Sequence, residues 1–284
     1  MDIKKILILS ELDRLSAMVT GFAVNLAEQM DVSEISLLNI IIPAHAQVFS
    51  SSGDIFASNG NRIEHFNVAL MKKHQKLAEE EAAKFSTDKV RIKPFVRFND
   101  SKTDLNRYME EYEAGLIVCG SCDEHSFLEL LFGTDTEKIV RKADYPMIIV
   151  QDEADAGKID NILVAIDIEE EDQSGLADIA DLAKALNARM QLLHVLTDDS
   201  GSSGQAIKEL QELAVKNMLN NYDINVVNNN TLEDGIQHFV RKYNPDMIAV
   251  LSQGKGKIHK LIFGSGTEDI INETNKPVFV AKIR

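Results

Sequence analysis

An internal duplication is the feature of this sequence that most constrains its fold. Two short aliphatic runs, residues 5–10 and 161–167, each precede a segment of helical periodicity and then a second aliphatic run. Both halves close with an apolar run that includes a proline, at residues 145–150 and 276–281. The sequence therefore predicts one fold that is used twice.

The alternation of strands and helices within each half indicates the fold class. Short aliphatic strands alternate with amphipathic helices, which predicts an α/β, doubly wound domain with a parallel sheet covered on both faces. We expect two tandem domains, residues 1–152 and 158–284, joined by a polar linker. Pro94 cannot donate to a strand ladder, so the strand near residues 90–97 should lie at a sheet edge. The first half also has a long insert at residues 43–61, whose role the sequence leaves open.

Composition narrows the range of partners. The formal net charge is −15, which disfavours nucleic acid and anionic membranes because phosphate surfaces are bound by clustered Lys and Arg. The apolar run near the start is too short for a signal-peptide core or a membrane span. Two cysteines form no disulfide framework. We therefore expect a cytoplasmic protein, while a small anionic ligand bound by backbone amides remains compatible with the charge.

The second half carries the pattern that suggests a ligand. Parallel sheets bind ligands beyond the carboxyl ends of their strands, at the point where the strand order reverses. Asp167 ends the first strand of this half, and Gly254 is followed after nine residues by Gly264, Ser265 and Thr267 at a helix start. Glycines, hydroxyl groups and free amides suit a nucleotide phosphate. The carboxylate of Asp167 would accept hydrogen bonds from ribose hydroxyl groups.

These motifs resemble those of the universal stress protein family, and the resemblance covers essentially the whole chain as two tandem domains. It implies a five-stranded parallel sheet of order 3-2-1-4-5 in each domain. It also implies that some members bind ATP or AMP, whereas other members bind neither. Fifth strands pair in the family, which here would join residues 146–150 and 277–281 as an internal pseudo-dimer, and a further homodimer is compatible with this pairing.

Carried over to this chain, the resemblance favours a nucleotide site in the second half. It implies ATP or AMP as the ligand, with or without Mg²⁺. Asp167 would take the ribose role, and Val195 would lie near the adenine. The full set of expected ligand-binding residues is Ala165, Ile166, Asp167, Val195, Val250, Leu251, Gly254, Gly264, Ser265, Gly266 and Thr267.

Both halves depart from the family pattern. In the second half, Leu251 stands where the first glycine of the motif should be. In the first half, Asp123 replaces the second glycine and would place negative charge close to a triphosphate. The first half is therefore the weaker candidate, and its expected ligand-binding residues are Glu11, Gly120, Gly133, Thr134 and Thr136.

A basic cluster lies between the two glycines of the second-half motif. It consists of Lys255, Lys257, His259 and Lys260. Such a run is typical of a solvated loop, but at this place its positive charge would also offset phosphate charge. Both interpretations stay open.

Other motifs are weaker. Cys119 and Cys122 form a C-x-x-C pair, but Cys119 should belong to a buried strand and no second pair completes a zinc site. The Lys93–Pro94 dipeptide resembles the Lys-Pro of response-regulator receiver domains. In this sequence, however, it lies on a different strand from the one that such a domain requires. His194 lies within an aliphatic run, so we interpret it as a hydrogen-bonded core histidine.

The leading hypothesis is a cytoplasmic stress-response regulatory protein that binds ATP or AMP mainly in its second half. One alternative is a nucleotide-free, pseudo-dimeric interaction module in which both pockets are relics. Another is a slow ATPase, although the sequence offers no evident general base or arginine finger. We therefore assign no catalytic residue and no metal ligand.

Overall fold

The computed structural model describes residues 3–41, 47–49, 55–57, 60–99, 105–120, 144–151, 157–168, 174–197, 202–251 and 274–281. The strands in this part of the chain are β1 Ile6–Leu9, β2 Glu34–Ile41, β3 Gln47–Phe49, β4 Ile55–Ala57, β5 Arg91–Phe98, β6 Leu116–Gly120, β7 Met147–Val150, β8 Asn161–Ala165, β9 Arg189–Leu196, β10 Tyr222–Asn228, β11 Met247–Leu251 and β12 Val278–Ala281. The helices are α1 Arg14–Gln29, α2 Gly60–Phe85, α3 Leu105–Glu111, α4 Leu176–Leu186, α5 Ser203–Lys216 and α6 Leu232–Tyr243.

Ten of these strands form one sheet, in the order β10-β9-β8-β11-β12-β7-β6-β1-β2-β5. Numbered within each half, the order is 3-2-1-4-5, and neighbouring strands of the same half are parallel. The prediction of two doubly wound α/β halves is confirmed. Each half contributes five of the ten strands, and β7 and β12 pair antiparallel, which joins the halves into a single sheet.

The strands at this junction are apolar and fully covered. Val278 lies opposite Ile149 and Phe279 opposite Ile148, and every residue of β7 and β12 is buried. An exposed edge of such composition would promote aggregation. Pairing the two strands removes both edges at once.

A polar contact also links the halves. The side-chain amide of Gln29, at the end of α1, donates to the carbonyls of Ile159 and Leu186 at 2.6 and 2.8 Å. Its Oε1 accepts from the backbone N–H of Ile159 at 3.0 Å. A side chain of the first half thus satisfies backbone groups at the start of the second half and at the end of α4. The domain division expected between residues 152 and 158 stays a prediction.

Each face of the sheet carries an apolar core. Ile6 and Ile8 of β1 lie in one cluster and Leu7 and Leu9 in the other, as the alternation of a strand requires. The first cluster includes residues of α1, α2, α4 and α5, and the second includes residues of α3 and α6. Within the described residues, no helix is both long enough and apolar enough to cross a membrane.

The two edges of the sheet are β5 and β10. Pro94 lies in β5, so the prediction of an edge strand around this proline is confirmed. Within the insert at residues 43–61, β3 and β4 pair antiparallel as a separate two-stranded sheet. The role of this insert stays open.

Candidate functional site

The fold places a strand-order switch in each half. In the second half it lies between β8 and β11, and in the first half between β1 and β6. At such a switch the connections leave the sheet toward opposite faces, which opens a crevice at the carboxyl ends of the strands.

In the second half, the structure brings six of the expected residues to this crevice. Ala165, Ile166 and Asp167 end β8 and continue beyond it, Val195 lies near the end of β9, and Val250 and Leu251 end β11. The strands are in register here, since Ala165 pairs with Leu193 and Val164 with Ala249. The other expected residues lie outside the described part of the chain: Gly254, Gly264, Ser265, Gly266 and Thr267.

Burial divides these six residues into a floor and a rim. Ala165, Val195 and Val250 are buried in the core of one face of the sheet and Ile166 in that of the other, whereas Asp167 and Leu251 are half-buried. The floor on the face of α6 is therefore apolar, and a carboxylate lies at its rim. The basic cluster at residues 255–260, which would face phosphate groups, lies outside the described residues.

His194 holds the backbone next to Asp167. Its Nδ1 lies 3.0 Å from the carbonyl oxygen of Ile166, whose N–H in turn donates to the carbonyl of Leu193 at 2.9 Å. The interpretation of His194 as a hydrogen-bonded core histidine is confirmed. Its contact with Ile166, the residue before Asp167, was not predicted from the sequence, because a sequence pattern does not show which carbonyl a buried ring contacts.

Gly235 also shapes the site, although the sequence pattern did not single it out. It lies in α6, and a Cβ atom at this position would come within 2.5 and 2.7 Å of the two methyl groups of Val195. The helix therefore packs directly on the residue expected near the adenine. The only signal in the sequence is a glycine inside an amphipathic helix, where glycine lowers helix stability.

In the first half, a helix side chain packs on the glycine that ends β6. A Cβ atom on Gly120 would lie 2.8 Å from Cδ2 of Leu15, so the leucine covers this glycine. Glu11 is exposed, and its backbone N–H donates to the Ser16 hydroxyl at 2.8 Å. Gly133, Thr134 and Thr136 lie outside the described residues, as does Asp123.

A partly buried polar network lies beside the turn that follows β1. Thr20 Oγ1 donates to Glu81 Oε1 at 2.6 Å, and Ser10 Oγ lies 3.5 Å from the same oxygen. Burial raises the pKa of the Glu81 carboxyl, while the hydrogen bonds from Thr20 and Ser10 oppose this shift. The backbone N–H of Leu12 donates to Ser10 Oγ at 3.1 Å, so the network also fixes the turn after β1.

The cysteine pair shows no sign of a reactive site in the part that is described. Cys119 is buried in β6, and its Sγ lies 3.9 Å from the carbonyl oxygen of Ile148. The prediction of a core thiol at Cys119 is confirmed, whereas Cys122 lies outside the described residues. Among the described side chains, no group of three or more His, Cys, Asp or Glu could hold a metal ion.

Curated relatives match part of this chain. Proteins named universal stress protein G, from Shigella flexneri and Escherichia coli O157:H7, are 28% identical to it over 89 residues. The match covers 31% of this chain and spans 62% of the length of these relatives.

Solved structures share the fold along the whole chain. The crystal structure of a universal stress protein from Archaeoglobus fulgidus DSM 4304 has a TM-score of 0.64 at 19% identity, covering 98% of this chain and 96% of that one. A putative universal stress protein from Pseudomonas aeruginosa UCBPP-PA14 gives a TM-score of 0.59 at 15% identity, with coverages of 99% and 94%.

The family itself is identified by its sequence model. The model described as the universal stress protein family matches twice, at residues 3–151 and again at 158–282. The two matches cover nearly the whole length and correspond to the two halves of the sheet. The chain belongs to the universal stress protein family, as a member with two tandem domains.

Proposed function

We propose that the second half of this chain binds an adenine nucleotide, ATP or AMP, and that the protein acts as a cytoplasmic stress-response regulator. Membership of the universal stress protein family supports a role in the stress response. The nucleotide, the choice of half and the cytoplasmic location are parts of the proposal.

The observation that carries the proposal is the convergence of Asp167 with Val195 and Val250 at the second-half switch point. Aliphatic side chains suit the faces of an adenine ring, because contact with them removes apolar surface from water. A half-buried carboxylate at the rim can accept hydrogen bonds from ribose hydroxyl groups. The loop from Gly254 to Gly264, which would bind the phosphate groups (the phosphate loop), remains a prediction.

The contrast between the halves supports the second as the binding half. Leu15 covers Gly120 in the first half, and Glu11, which has a longer side chain than Asp167, is exposed. A ligand group that approached the Gly120 backbone on this side would meet the Leu15 side chain, which packs against the core.

Calorimetric titration with ATP and AMP tests the proposal. Asp167→Asn replaces the carboxylate by a weaker acceptor, and hydrogen bonds to charged groups contribute about 1.5–3 kcal/mol. We therefore expect the affinity to fall about 10- to 100-fold. The matched control is Asp88→Asn, which makes the same charge change at an exposed position of the first half and should leave the affinity unchanged.

Two results would contradict the proposal. One is the absence of binding heat in the wild-type protein with either nucleotide. The other is an equal affinity of wild type and Asp167→Asn. Measuring ADP release in the same samples also tests the slow-ATPase alternative, which requires turnover that Asp167→Ala abolishes.

A second candidate function is a nucleotide-free interaction module. It is favoured by one observation: Leu251, which packs in part against the core, stands where the first half has Gly120. A bulky residue at the entry of the phosphate loop would crowd a phosphate group. Absence of binding heat in the titration above would favour this candidate over the first.

A further inference from the structure

A side chain from the second strand holds the same backbone carbonyl in each half. In the first half, Asn39 Nδ2 donates to the carbonyl of Ser10 at 2.8 Å. In the second half, His194 Nδ1 lies 3.0 Å from the carbonyl of Ile166. Because a carbonyl oxygen only accepts, Nδ1 of His194 carries the hydrogen in this bond.

The strand register shows that the two bonds are equivalent. Leu9, the last residue of β1, pairs with Leu38, and Ala165, the last residue of β8, pairs with Leu193. Asn39 and His194 each come one residue later on the second strand of their half, and their side chains donate the bond. Ser10 and Ile166 each come one residue after the first strand of their half, and their carbonyls accept it. The amides agree as well, since the N–H groups after β1 and β8 donate to the carbonyls of Leu38 and Leu193 at 3.0 and 2.9 Å.

The shared feature is the hydrogen bond and not the shape of the side chain. Asn39 is 2% exposed and His194 is 9% exposed, so both donors lie in the interior. Asn39 is supported by a further residue, because His74 Nδ1 on α2 lies 2.8 Å from its Oδ1. Burial lowers the pKa of His74, which favours the neutral ring.

The second half makes the bond with one residue. Its helix α5 corresponds to α2, and matching their buried positions, Ala78 with Leu210 and Ala82 with Ala214, puts Ala206 in the place of His74. The first half therefore uses the amide of Asn39 on β2 with the imidazole of His74 on α2. The second half uses the imidazole of His194 on β9 with the small Ala206 on α5. Two different side-chain combinations preserve one bond, which indicates that the held carbonyl matters.

We propose that His194 is a positioning residue for the nucleotide site, because its Nδ1–H bond to the Ile166 carbonyl fixes the backbone that aims Asp167 at the ribose. The carbonyl of Ile166 and the N–H of Asp167 belong to one rigid peptide plane. Holding that carbonyl sets the direction in which the Asp167 side chain leaves the strand end. This inference rests on the proposed function.

Three variants test the inference by calorimetric titration with ATP and AMP. His194→Leu removes the donor, and His194→Asn introduces the donor that the first half uses. In metal sites, loss of a side chain that hydrogen-bonds to a ligand residue lowers metal affinity about 10- to 100-fold. By analogy, we expect His194→Leu to lower the nucleotide affinity about tenfold. His194→Asn keeps a donor but lacks the partner that His74 gives Asn39, so its affinity should lie between those of His194→Leu and wild type. Asn39→Leu makes the same kind of change in the first half and should leave the affinity unaltered.

A purely structural role would give a different pattern. His194→Leu and Asn39→Leu would then lower thermal stability alike, and neither would change the nucleotide affinity. If Asp167→Asn weakens binding while His194→Leu does not, the positioning role is overturned.

A ligand-free measurement separates this inference from the proposed function. Nuclear magnetic resonance of the wild-type protein should show His194 with its hydrogen on Nδ1. Amide hydrogen exchange at Asp167 should become faster in His194→Leu and recover in part in His194→Asn. An Nε2–H ring, or exchange at Asp167 that is unchanged in His194→Leu, overturns the positioning role even if nucleotide binds. If wild type binds neither nucleotide, the proposed function fails, and the exchange data still decide whether His194 positions Asp167. The wild-type ring measurement decides the matter if His194→Leu does not fold.

Discussion

At the scale of single residues, Glu81 marks the clearest chemical difference between the two halves. It receives a hydrogen bond from Thr20, and Ser10 lies within reach of the same oxygen, all in a largely buried setting. The corresponding positions of the second half are apolar: Ile166 by strand register, and Leu176 and Leu213 by matching the buried residues of the helices. The first half thus keeps a polar network where the second half has core.

The pKa of Glu81 gives this network a pH dependence. Burial raises that pKa above its ordinary value near 4.5, so the folded protein binds this proton more tightly than the unfolded chain does. Stability is therefore lost as the pH rises from about 4.5 through the higher folded-state pKa. The loss is moderate, because solvent reaches part of the carboxyl group and screens its charge.

We predict that Glu81→Gln stabilises the protein more at pH 7 than at pH 4. The glutamine carbonyl still accepts from Thr20 and Ser10 but carries no charge to desolvate. The gain at pH 7 should be up to about 1 kcal/mol, as expected for a polar group that is only partly buried. Urea unfolding at a series of pH values measures it. Glu80→Gln, at an exposed position of the same helix, is the control and should show no comparable trend.

At the scale of elements, the packing of α6 on β9 shapes the floor of the second-half crevice. Gly235 allows the helix to approach Val195 so closely that a methyl group at residue 235 has no room. Both methyl groups of a valine lie on its Cβ, so neither can move aside without a change of rotamer or backbone. The position of Val195 therefore depends on the absence of a side chain on α6.

We predict that Gly235→Ala destabilises the fold and weakens nucleotide binding. Overpacking costs about 1–3 kcal/mol, and contacts with both methyl groups of Val195 put this site in the upper part of that range, above the gain of about 1 kcal/mol in helix propensity. Gly204→Ala on α5 is the matched control, because its Cβ atom would meet Ser202 Oγ at an ordinary 3.6 Å. Thermal unfolding and titration with AMP measure both effects. Equal behaviour of the two alanine variants would show that α6 does not constrain Val195.

Several elements of the structure could be predicted from the sequence. The duplication and the alternation of short aliphatic runs with amphipathic segments predict the doubly wound halves, because burial on both faces requires those patterns. Pro94 predicts an edge strand because a proline cannot donate to a ladder. Cys119 could be assigned to the core because it lies within an apolar run.

The contacts around the candidate site could not be predicted in the same way. Whether Leu15 covers Gly120, or which carbonyl His194 reaches, depends on how a helix seats on the sheet and on strand register. The short strands β3 and β4 lie in a segment rich in Ser, Gly and Ala, whose composition does not favour strands. Sequence periodicity reports which side chains are buried, but not which atoms meet there.

At the scale of the whole molecule, one continuous sheet carries two unequal crevices. The junction of β7 and β12 gives the halves a common sheet, while Leu15 and the Glu81 network distinguish the first crevice from the second. The net charge of −15 makes a site for a polyanion costly unless positive charge is placed locally. The basic cluster at residues 255–260 lies in the second half alone. One nucleotide per chain is therefore the expected stoichiometry.

Native mass spectrometry at saturating AMP or ATP measures this stoichiometry most directly. We expect a mass increase of one nucleotide per chain in wild type, and its loss in Asp167→Asn at the same nucleotide concentration. Asp88→Asn should retain the bound nucleotide. No added mass in wild type, two nucleotides per chain, or full retention by Asp167→Asn would contradict a single site in the second half.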